Sequence, residues 1–340
     1  MNLHKIRSRL LISMLLGIVV FAGLLVYGDL KSVGSDLRGF RWELMPLILL
    51  LTTGNYLLRF GKWQYYLRQI GVTGLRGVDS FLIYFSGMGM TVTPGKVGEW
   101  LKSYLLREMH GTPVTRSAPI LLAERLTDAL GLLILACTGV VVFGNRAAVF
   151  VVIVIALGSA IAIGVSRHRP ASYSLLRLAG RMPLVKGFVP HFEDFYESTY
   201  VLMEPKGIGL MTLLSVVSWA FEVVAFYLTL VGLGESGGVE TLFKAAFILP
   251  ISTLAAAVLL TPGGLGVAET GITGLSKQLL GMEKGAATAG TLIVRLATLW
   301  YGVALGLVMF AVLTHRLGKE GKTLDAAPGG AMAGGPDAAG

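Results

Sequence analysis

Residues 261–269 read Thr-Pro-Gly-Gly-Leu-Gly-Val-Ala-Glu, and residues 93–99 read Thr-Pro-Gly-Lys-Val-Gly-Glu. In both stretches an apolar segment enters a Thr-Pro-Gly turn, and a glycine-rich segment with a glutamate leaves it. An arginine, Arg125 or Arg295, lies near the start of the apolar stretch that follows each turn. Agreement in four features indicates an internal repeat, which limits the folds that the rest of the chain can adopt.

The composition is that of a membrane protein. Of the 340 residues, 54% are hydrophobic and only 14% are charged, against roughly 25% charged in an average soluble domain. Apolar stretches close to or above the ~18 residues of a membrane span recur along the chain. They predict an all-α polytopic transmembrane bundle with six full spans, at about 10–27, 44–58, 118–143, 147–165, 207–232 and 288–313.

Two further apolar arms, 79–92 and 241–260, run into the Thr-Pro-Gly turns, where Pro94 and Pro262 interrupt any continuous helix. We expect each turn to be the tip of a re-entrant hairpin. Three spans separate the copies, and an odd number inverts the second relative to the first, as in many secondary transporters. The halves are about 44–143 and 207–313. The arm 241–260 is long enough to span the membrane alone, so it is either a full span or a re-entrant arm.

The placement of charge decides what the net charge of +9 means. Predicted cytoplasmic segments hold 18 Lys and Arg, and predicted outer segments hold 5. This asymmetry predicts that both termini lie in the cytoplasm, and no basic groove for nucleic acid remains. We expect a membrane domain over 1–315 with an uncleaved first helix, an amphipathic cytoplasmic loop over 166–206, and a disordered cytoplasmic tail over 316–340.

The turns themselves predict an anion site. Thr93 and Thr261 occupy N-cap positions and Pro94 and Pro262 the first helical position, so two half-helices should begin there with free N–H groups facing one another. Such ends bind phosphate, and glycines at 95, 98, 263, 264 and 266 would let a headgroup approach the backbone. The alternative is that the glycines only permit close helix packing.

Charged residues within the spans form the second part of the predicted site, since each costs roughly 2.5–3.5 kcal/mol near a helix centre. We expect Glu222 and Arg295 to face a polar cavity. Glu124 and Asp128 share a helix face, and Arg125 is placed to pair with Asp128. The alternatives are interfacial snorkelling for Glu124 and Arg125 and a neutral carboxyl for Glu222. Interfacial positions are expected for Arg59, Lys62 and Arg107.

Other chemistries have little support in the sequence. Cys137 is the single cysteine, and the five histidines lie at termini or in loops without metal-ligand spacing. We therefore expect no metal, no cofactor and no Ser-His dyad. The sequence holds no P-loop for direct use of ATP.

TPGKVGEWLKSYLL, LLAERLTDALGLLIL and LTPGGLGVAETGI, in this order, resemble the flippase-like family that includes the membrane region of lysylphosphatidylglycerol synthases. The resemblance covers about residues 10–315. It implies a multi-helix inner-membrane protein associated with translocation of a lipid or a lipid-linked glycan. Because membrane spans use up the residues of this sequence, we expect it to lack the aminoacyl-transferase domain of the full synthases. It places eleven residues at motif positions: Pro94, Gly95, Gly98, Glu99, Glu124, Arg125, Asp128, Pro262, Gly263, Gly266 and Glu269.

Three functions therefore stay open. The leading hypothesis is a non-enzymatic translocase for an anionic phospholipid or a lipid-linked glycan, with Glu99, Glu222 and Glu269 balancing Arg125 and Arg295 or carrying protons. The second is a membrane enzyme that acts on a lipid-linked substrate through Glu99, Glu124 and Asp128. The third is a scaffold that binds an envelope biosynthesis enzyme through the loop 166–206. The predicted substrate-binding set is Thr93, Pro94, Gly95, Gly98, Glu99, Glu124, Arg125, Asp128, Glu222, Thr261, Pro262, Gly263, Gly266, Glu269 and Arg295.

Overall fold

Helices make up nearly all of the described chain. The structure is a computed structural model that describes residues 3–92, 100–143, 146–170, 172, 174, 192–259 and 261–319, and no strand occurs in these ranges. The helices are α1 (Leu3–Gly28), α2 (Leu30–Gly39), α3 (Met45–Gln69), α4 (Gly77–Met88), α5 (Trp100–His110), α6 (Val114–Phe143), α7 (Arg146–Arg167), α8 (Phe192–Leu202), α9 (Pro205–Gly232), α10 (Val239–Val258), α11 (Val267–Leu280), α12 (Lys284–Arg295) and α13 (Tyr301–Lys319). The predicted all-α bundle is confirmed.

Several helices are long and apolar enough to cross a bilayer. Within the described ranges there are five, covering 42–69, 146–167, 205–232, 239–258 and 284–318. A sixth arises if α1 and α2, which meet at 95°, count as one broken span. The break falls at Asp29, whose positive φ of 65° ends α1 before its side chain caps α2. The chain is thus a multi-pass membrane protein.

Contacts between the connecting segments place these segments at two opposite ends of the bundle. One end is here called the Tyr27 end, because α1 ends there one residue after Tyr27. At this end Arg41 donates to the carbonyl of Val231 at 2.8 Å, and Gly285 packs against Ser32. At the opposite end, here called the Arg316 end, Arg316 lies 3.2 Å from Asp79. The predicted outer segments 28–43, 233–240 and 281–287 therefore share the first end.

Two of the predicted cytoplasmic segments, 59–78 and 107–117, share the Arg316 end. The guanidinium of Arg116 donates to the carbonyl of Ile70 at 2.8 Å, and a ring nitrogen of His110 lies 2.9 Å from the carbonyl of Thr73. These bonds join the segments 59–78 and 107–117 to one another. The grouping of segments follows the predicted charge asymmetry, whereas the orientation of the bundle in a particular membrane stays a prediction.

Helices α10 and α11 form a hairpin that opens at the Tyr27 end. The 20 residues of α10 rise about 30 Å and the 14 residues of α11 about 21 Å. The tip between them holds glycines with positive φ: 60° at Gly263, 74° at Gly264 and 85° at Gly266. Residues with side chains rarely adopt these angles, so the turn needs glycine at these positions.

This tip corrects one sequence prediction. The half-helix was expected to begin with Thr261 as N-cap and Pro262 as first residue, but Pro262–Gly264 is a short 3-10 turn and α11 begins at Val267, with Gly266 as its N-cap. The physical reason is the run of left-handed glycines, which cannot continue a right-handed helix from the proline.

Helices α4 and α5 are the described arms of the first Thr-Pro-Gly unit. The start of α4 and the end of α5 both lie at the Arg316 end, through Asp79 and His110. The turn itself, which holds the predicted site residues Thr93, Pro94, Gly95, Gly98 and Glu99, lies outside the described residues. The two hairpins thus open at opposite ends of the bundle.

The first arm reaches the tip of the second hairpin. Val92, which is fully buried, packs against Gly263 so closely that a Cβ there would overlap its side chain. Val92 also shares an apolar cluster with Leu265 and Val303. The described end of the first arm and the described residues of the second tip therefore meet inside the bundle.

Two predicted boundaries are wrong. The second span was expected to end near residue 58, yet α3 continues to Gln69, because its apolar and aromatic side chains, including Trp63 and Tyr66, pack into the core. The tail was expected to begin at residue 316, yet α13 continues to Lys319. Of the predicted loop 166–206, the described part includes α8, while residues 175–191 lie outside the described residues, as do residues 320–340.

Candidate functional site

Arg295 is the centre of the first of two charged clusters inside the bundle. Its Nε donates to Glu269 at 2.6 Å, and its Nη2 donates to the carbonyl of Gly263 at 2.7 Å. The Arg295 side chain is 12% exposed and that of Glu269 is fully buried. One guanidinium therefore binds both the backbone and the carboxylate of the second hairpin tip.

Glu269 also caps the half-helix that follows the tip. Its second carboxylate oxygen accepts a hydrogen bond from the backbone N–H of Gly266 at 2.7 Å. A carboxylate at this position compensates the positive end of a helix and satisfies a donor that would otherwise lack a partner. The predicted anion-binding end of the half-helix is thus covered by the protein's own anion.

A π-helix follows Arg295 directly. Residues Leu296–Trp300 separate α12 from α13 within one long helix, and such insertions are frequent at functional sites. Tyr56 of α3 donates a short hydrogen bond to the carbonyl of Thr298, and the hydroxyls of Thr53 and Tyr301 lie 3.0 Å apart. These contacts hold α3 against the irregular turn next to the arginine.

Asp128 is the centre of the second cluster. Arg59 donates to one of its oxygens at 2.6 Å, and Lys62 donates to the other at 2.7 Å. Ser215 of α9 donates to Asp128 at 3.1 Å and accepts from Lys62 at 2.5 Å. Three helices, α3, α6 and α9, therefore meet at one carboxylate.

This arrangement overturns the interfacial positions predicted for Arg59 and Lys62. Lys62 is 1% exposed and Arg59 18% exposed, because α3 continues for eleven residues past the predicted end of the span. Asp128 pairs with these two cations, and Arg125, which lies half-buried on α6, is a further electrostatic neighbour of Asp128. The signal for this lies in the sequence: Arg59 and Lys62 are three residues apart, on one helix face, within an aromatic stretch.

Glu124 belongs to a third contact, one turn before Asp128. Lys102 of α5 donates to it at 2.6 Å, and both side chains are buried. The same ammonium lies 5.0 Å from the ring centres of Trp63 and Tyr84, a distance at which cation–π attraction is effective. The other oxygen of Glu124 has no hydrogen bond to any described residue.

Glu222 lies between the two larger clusters. It is 7% exposed in the middle of α9, and no hydrogen bond or ion pair to it occurs in the described part of the chain. Its main electrostatic neighbours are Arg59, Arg295 and Asp128. A buried carboxyl without such a bond is rare, because burying an ionised carboxylate is costly unless it is paired.

The predicted set is thus distributed over several places. Gly263, Gly266, Glu269 and Arg295 meet at the second tip, while Thr261 precedes this group and bonds weakly to the carbonyl of Ala256 at 3.5 Å. Glu124 and Asp128 bind separate lysines. Sequence reasoning missed the charged and polar partners Tyr56, Arg59, Lys62, Lys102 and Ser215. In the described ranges, no three His, Cys, Asp or Glu side chains are grouped to hold a metal.

Comparisons with known proteins agree with this architecture. The sequence profile of the lysylphosphatidylglycerol synthase TM region matches residues 14–306. A relative, Glycosyltransferase AglD of Haloferax volcanii, is 22% identical in an alignment 321 positions long that covers 84% of this chain and 51% of that protein. The chain therefore spans about half the length of this curated relative. With most of its residues matched by the profile, the chain belongs to the family of the lysylphosphatidylglycerol synthase transmembrane region.

Proposed function

We propose that this protein is a translocase that carries the anionic headgroup of a lipid between the two leaflets of the cell inner membrane. The observation that supports this most is the double engagement of Arg295 by the carboxylate of Glu269 and the carbonyl of Gly263. The guanidinium can exchange these partners for the oxygens of a phosphate, which it binds in the same forked geometry.

The depth of the arginine supports a role in the middle of the membrane. Arg295 lies eleven residues after Lys284 in a continuous helix, which is about 16 Å from the Tyr27 end and close to half of a ~30 Å hydrocarbon core. A charge at that depth costs several kcal/mol in lipid and is usually retained for function. Glu269 lies at a similar depth, eleven residues before the end of α11.

Glu269 occupies the place that a transported phosphate would take. It accepts hydrogen bonds from Arg295 and from the N–H of Gly266, and both are donors suited to an anion. In the proposed cycle the headgroup displaces Glu269 from Arg295. When no cargo is bound, Glu269 pairs with Arg295 again, so the buried arginine is never left unpaired. Glu269 thus balances the charge in the absence of cargo.

The two hairpins supply a physical basis for alternating access. They open at opposite ends and meet where Val92 touches Gly263, and transporters with such inverted halves expose a central site by rocking one half against the other. The charge asymmetry of the loops favours an orientation with both termini and the Arg316 end in the cytoplasm.

The class of cargo follows from the two names among the relatives. The description of the family names a phosphatidylglycerol derivative, so a phospholipid is our first candidate. The name of Glycosyltransferase AglD favours a lipid-linked glycan as the second candidate, and it also keeps open an enzyme that acts on a lipid-linked substrate. Against the enzyme, its proposed carboxylates Glu124 and Asp128 are already paired with buried lysines.

The test is leaflet exchange of headgroup-labelled phospholipids in proteoliposomes. The wild-type protein should exchange an anionic lipid, and Arg295→Ala and Glu269→Gln should abolish exchange while the protein still inserts. Arg169→Ala is the matched control, because Arg169 is 61% exposed and its ion pair with the exposed Glu197 is long, at 3.7 Å. Equal rates in all four proteins would refute the proposal.

The competing functions have their own outcomes in the same preparations. A covalently altered lipid in extracts of the proteoliposomes would favour the enzyme. A scaffold that binds an envelope biosynthesis enzyme would be silent in the exchange assay and insensitive to intramembrane charge variants. If no phospholipid exchanges, polyprenyl-phosphate glycans are the next cargo to test.

A further inference from the structure

A cavity of about 380 Å³ lies between α1 and α11, beside the second hairpin tip. Gly266 and Glu269 line its inner part, Leu24 of α1 and Gly274 of α11 line its walls, and Tyr27 lies at the Tyr27 end. The volume falls in the range of ligand pockets, which is about 300–1,000 Å³. The cavity therefore joins one surface of the bundle to the carboxylate that Arg295 binds.

Two lysines meet at the tyrosine that marks this entrance. Lys277 lies 3.4 Å from the Tyr27 hydroxyl and is placed to donate to it. The ammonium of Lys284 lies 4.1 Å from the centre of the Tyr27 ring. Neither lysine forms a salt bridge in the described ranges. Two ammonium groups thus flank one mouth, and no described carboxylate lies within 4 Å of either of them.

The walls contain open space where side chains would normally project. A Cβ built on Gly23 or on Gly274 would meet no atom within 4 Å. Glycine in a helix interior costs about 1 kcal/mol relative to alanine. Neither glycine faces a close neighbour, so both leave room for a guest molecule between α1 and α11.

We propose that this cavity binds a glycerophospholipid with an anionic headgroup, whose phosphate lies between Lys277 and Lys284 and whose upper acyl chain lies along α1. The site is where the lipid enters or leaves the path toward Arg295, so the inference rests on the proposed function and specifies the cargo. Charge complementarity supports the occupant, since lysines near a membrane surface attract anionic lipids. The small volume fits a lipid with a small headgroup better than a glycan.

Lipid retention tests the site independently of transport. Native mass spectrometry of the detergent-solubilised full chain would measure binding of phosphatidylglycerol and phosphatidylcholine. Replacing both lysines by alanine should weaken phosphatidylglycerol retention about thirty-fold, the loss of two lysine–anion attractions, and should leave phosphatidylcholine unchanged. Equal phosphatidylglycerol retention before and after the replacement would overturn the proposal.

Glycine variants test the cavity itself. Gly274→Leu and Gly23→Leu should fill it and reduce retention of both lipids. Gly158→Leu is the matched control, because Gly158 is an exposed helical glycine of α7 that also has no atom within 4 Å of a built Cβ. All three changes favour helix formation, so loss of folding is not expected to explain a difference. Retention that is equal in the three variants would contradict the cavity site.

The outcomes separate this inference from the proposed function. If the wild type exchanges lipid and the cavity variants exchange it at the rate of Gly158→Leu, the cavity does not lie on the transport path, and the proposed translocase function stands. If retention depends on the lysines and glycines but nothing exchanges, the site stands and the translocase fails. Stronger retention of a polyprenyl phosphate than of phosphatidylglycerol would overturn the assignment of the occupant.

Discussion

Replacing either member of the Arg295 and Glu269 pair should destabilise the protein, but to different extents. Glu269→Ala leaves a buried guanidinium with only the Gly263 carbonyl and leaves the Gly266 N–H without its acceptor. Because arginine stays charged, we expect the free energy of unfolding to fall by about 3–5 kcal/mol, as for other buried pairs that lose one partner.

Arg295→Met should lower the free energy of unfolding by less, about 1–3 kcal/mol. A carboxylate that loses its cation can bind a proton and become neutral, and Glu269 keeps the bond from Gly266. In the double variant no orphaned charge remains. The free energy of unfolding of the double variant should therefore fall by less than that of Glu269→Ala alone, which corresponds to a coupling of at least ~1 kcal/mol.

The assay is reversible unfolding in mixed micelles, which gives the free energy of unfolding of the wild type, both single variants and the double variant. Glu240→Ala serves as the control, since its ion pair with Lys244 is equally short at 2.7 Å but the glutamate is 75% exposed, and we expect no change. Additive losses in the double variant, or a larger loss for Arg295→Met than for Glu269→Ala, would refute the reasoning.

Three further changes have defined outcomes. Asp128→Ala leaves two buried cations, Arg59 and Lys62, without their shared anion, so the free energy of unfolding should fall by about 3–5 kcal/mol. Gly306→Val places a side chain against the backbone of Gly89, so unfolding should become easier by at least ~1–3 kcal/mol. Glu222→Gln should preserve the melting temperature, because no hydrogen bond is lost, and should make lipid exchange insensitive to an imposed pH gradient.

Each of these outcomes has a control or a contradicting result. For the glycine, Gly318→Val on the same helix meets no atom within 4 Å and should melt like the wild type. An Asp128→Ala protein as stable as the wild type would mean that water or lipid neutralises the two cations. A Glu222→Gln protein that still responds to the pH gradient would exclude this carboxyl as the proton carrier.

The pairing of charges shows where sequence reasoning stops. Glu269 and Arg295 were both predicted to lie at the site from their positions in the repeat, and they are only 26 residues apart. Lys62 and Asp128 are 66 residues apart, and Lys62 was assigned to the interface because the apolar stretch before it ended early. Whether a charged residue snorkels or pairs inside depends on the helices that surround it, which hydropathy does not report.

The second tip shows the same limit at the level of the backbone. Pro262 and its glycines correctly predicted an interruption, since proline and glycine limit helices by local geometry alone. They did not predict that the helix restarts at Val267, because the start depends on the bond between Glu269 and the Gly266 N–H and on the arginine that holds that carboxylate.

The sequence by itself determined the membrane class, the helical architecture, the family and the interruption between α10 and α11. These follow from composition, from apolar stretches as long as the bilayer is thick, and from residues whose backbone preferences are local. Only the tertiary structure decided the partners of the buried charges, the residue at which α11 restarts, and the cavity between α1 and α11. These depend on contacts between helices distant in the chain, and the free energy of such contacts is set by burial and distance rather than by order in the sequence.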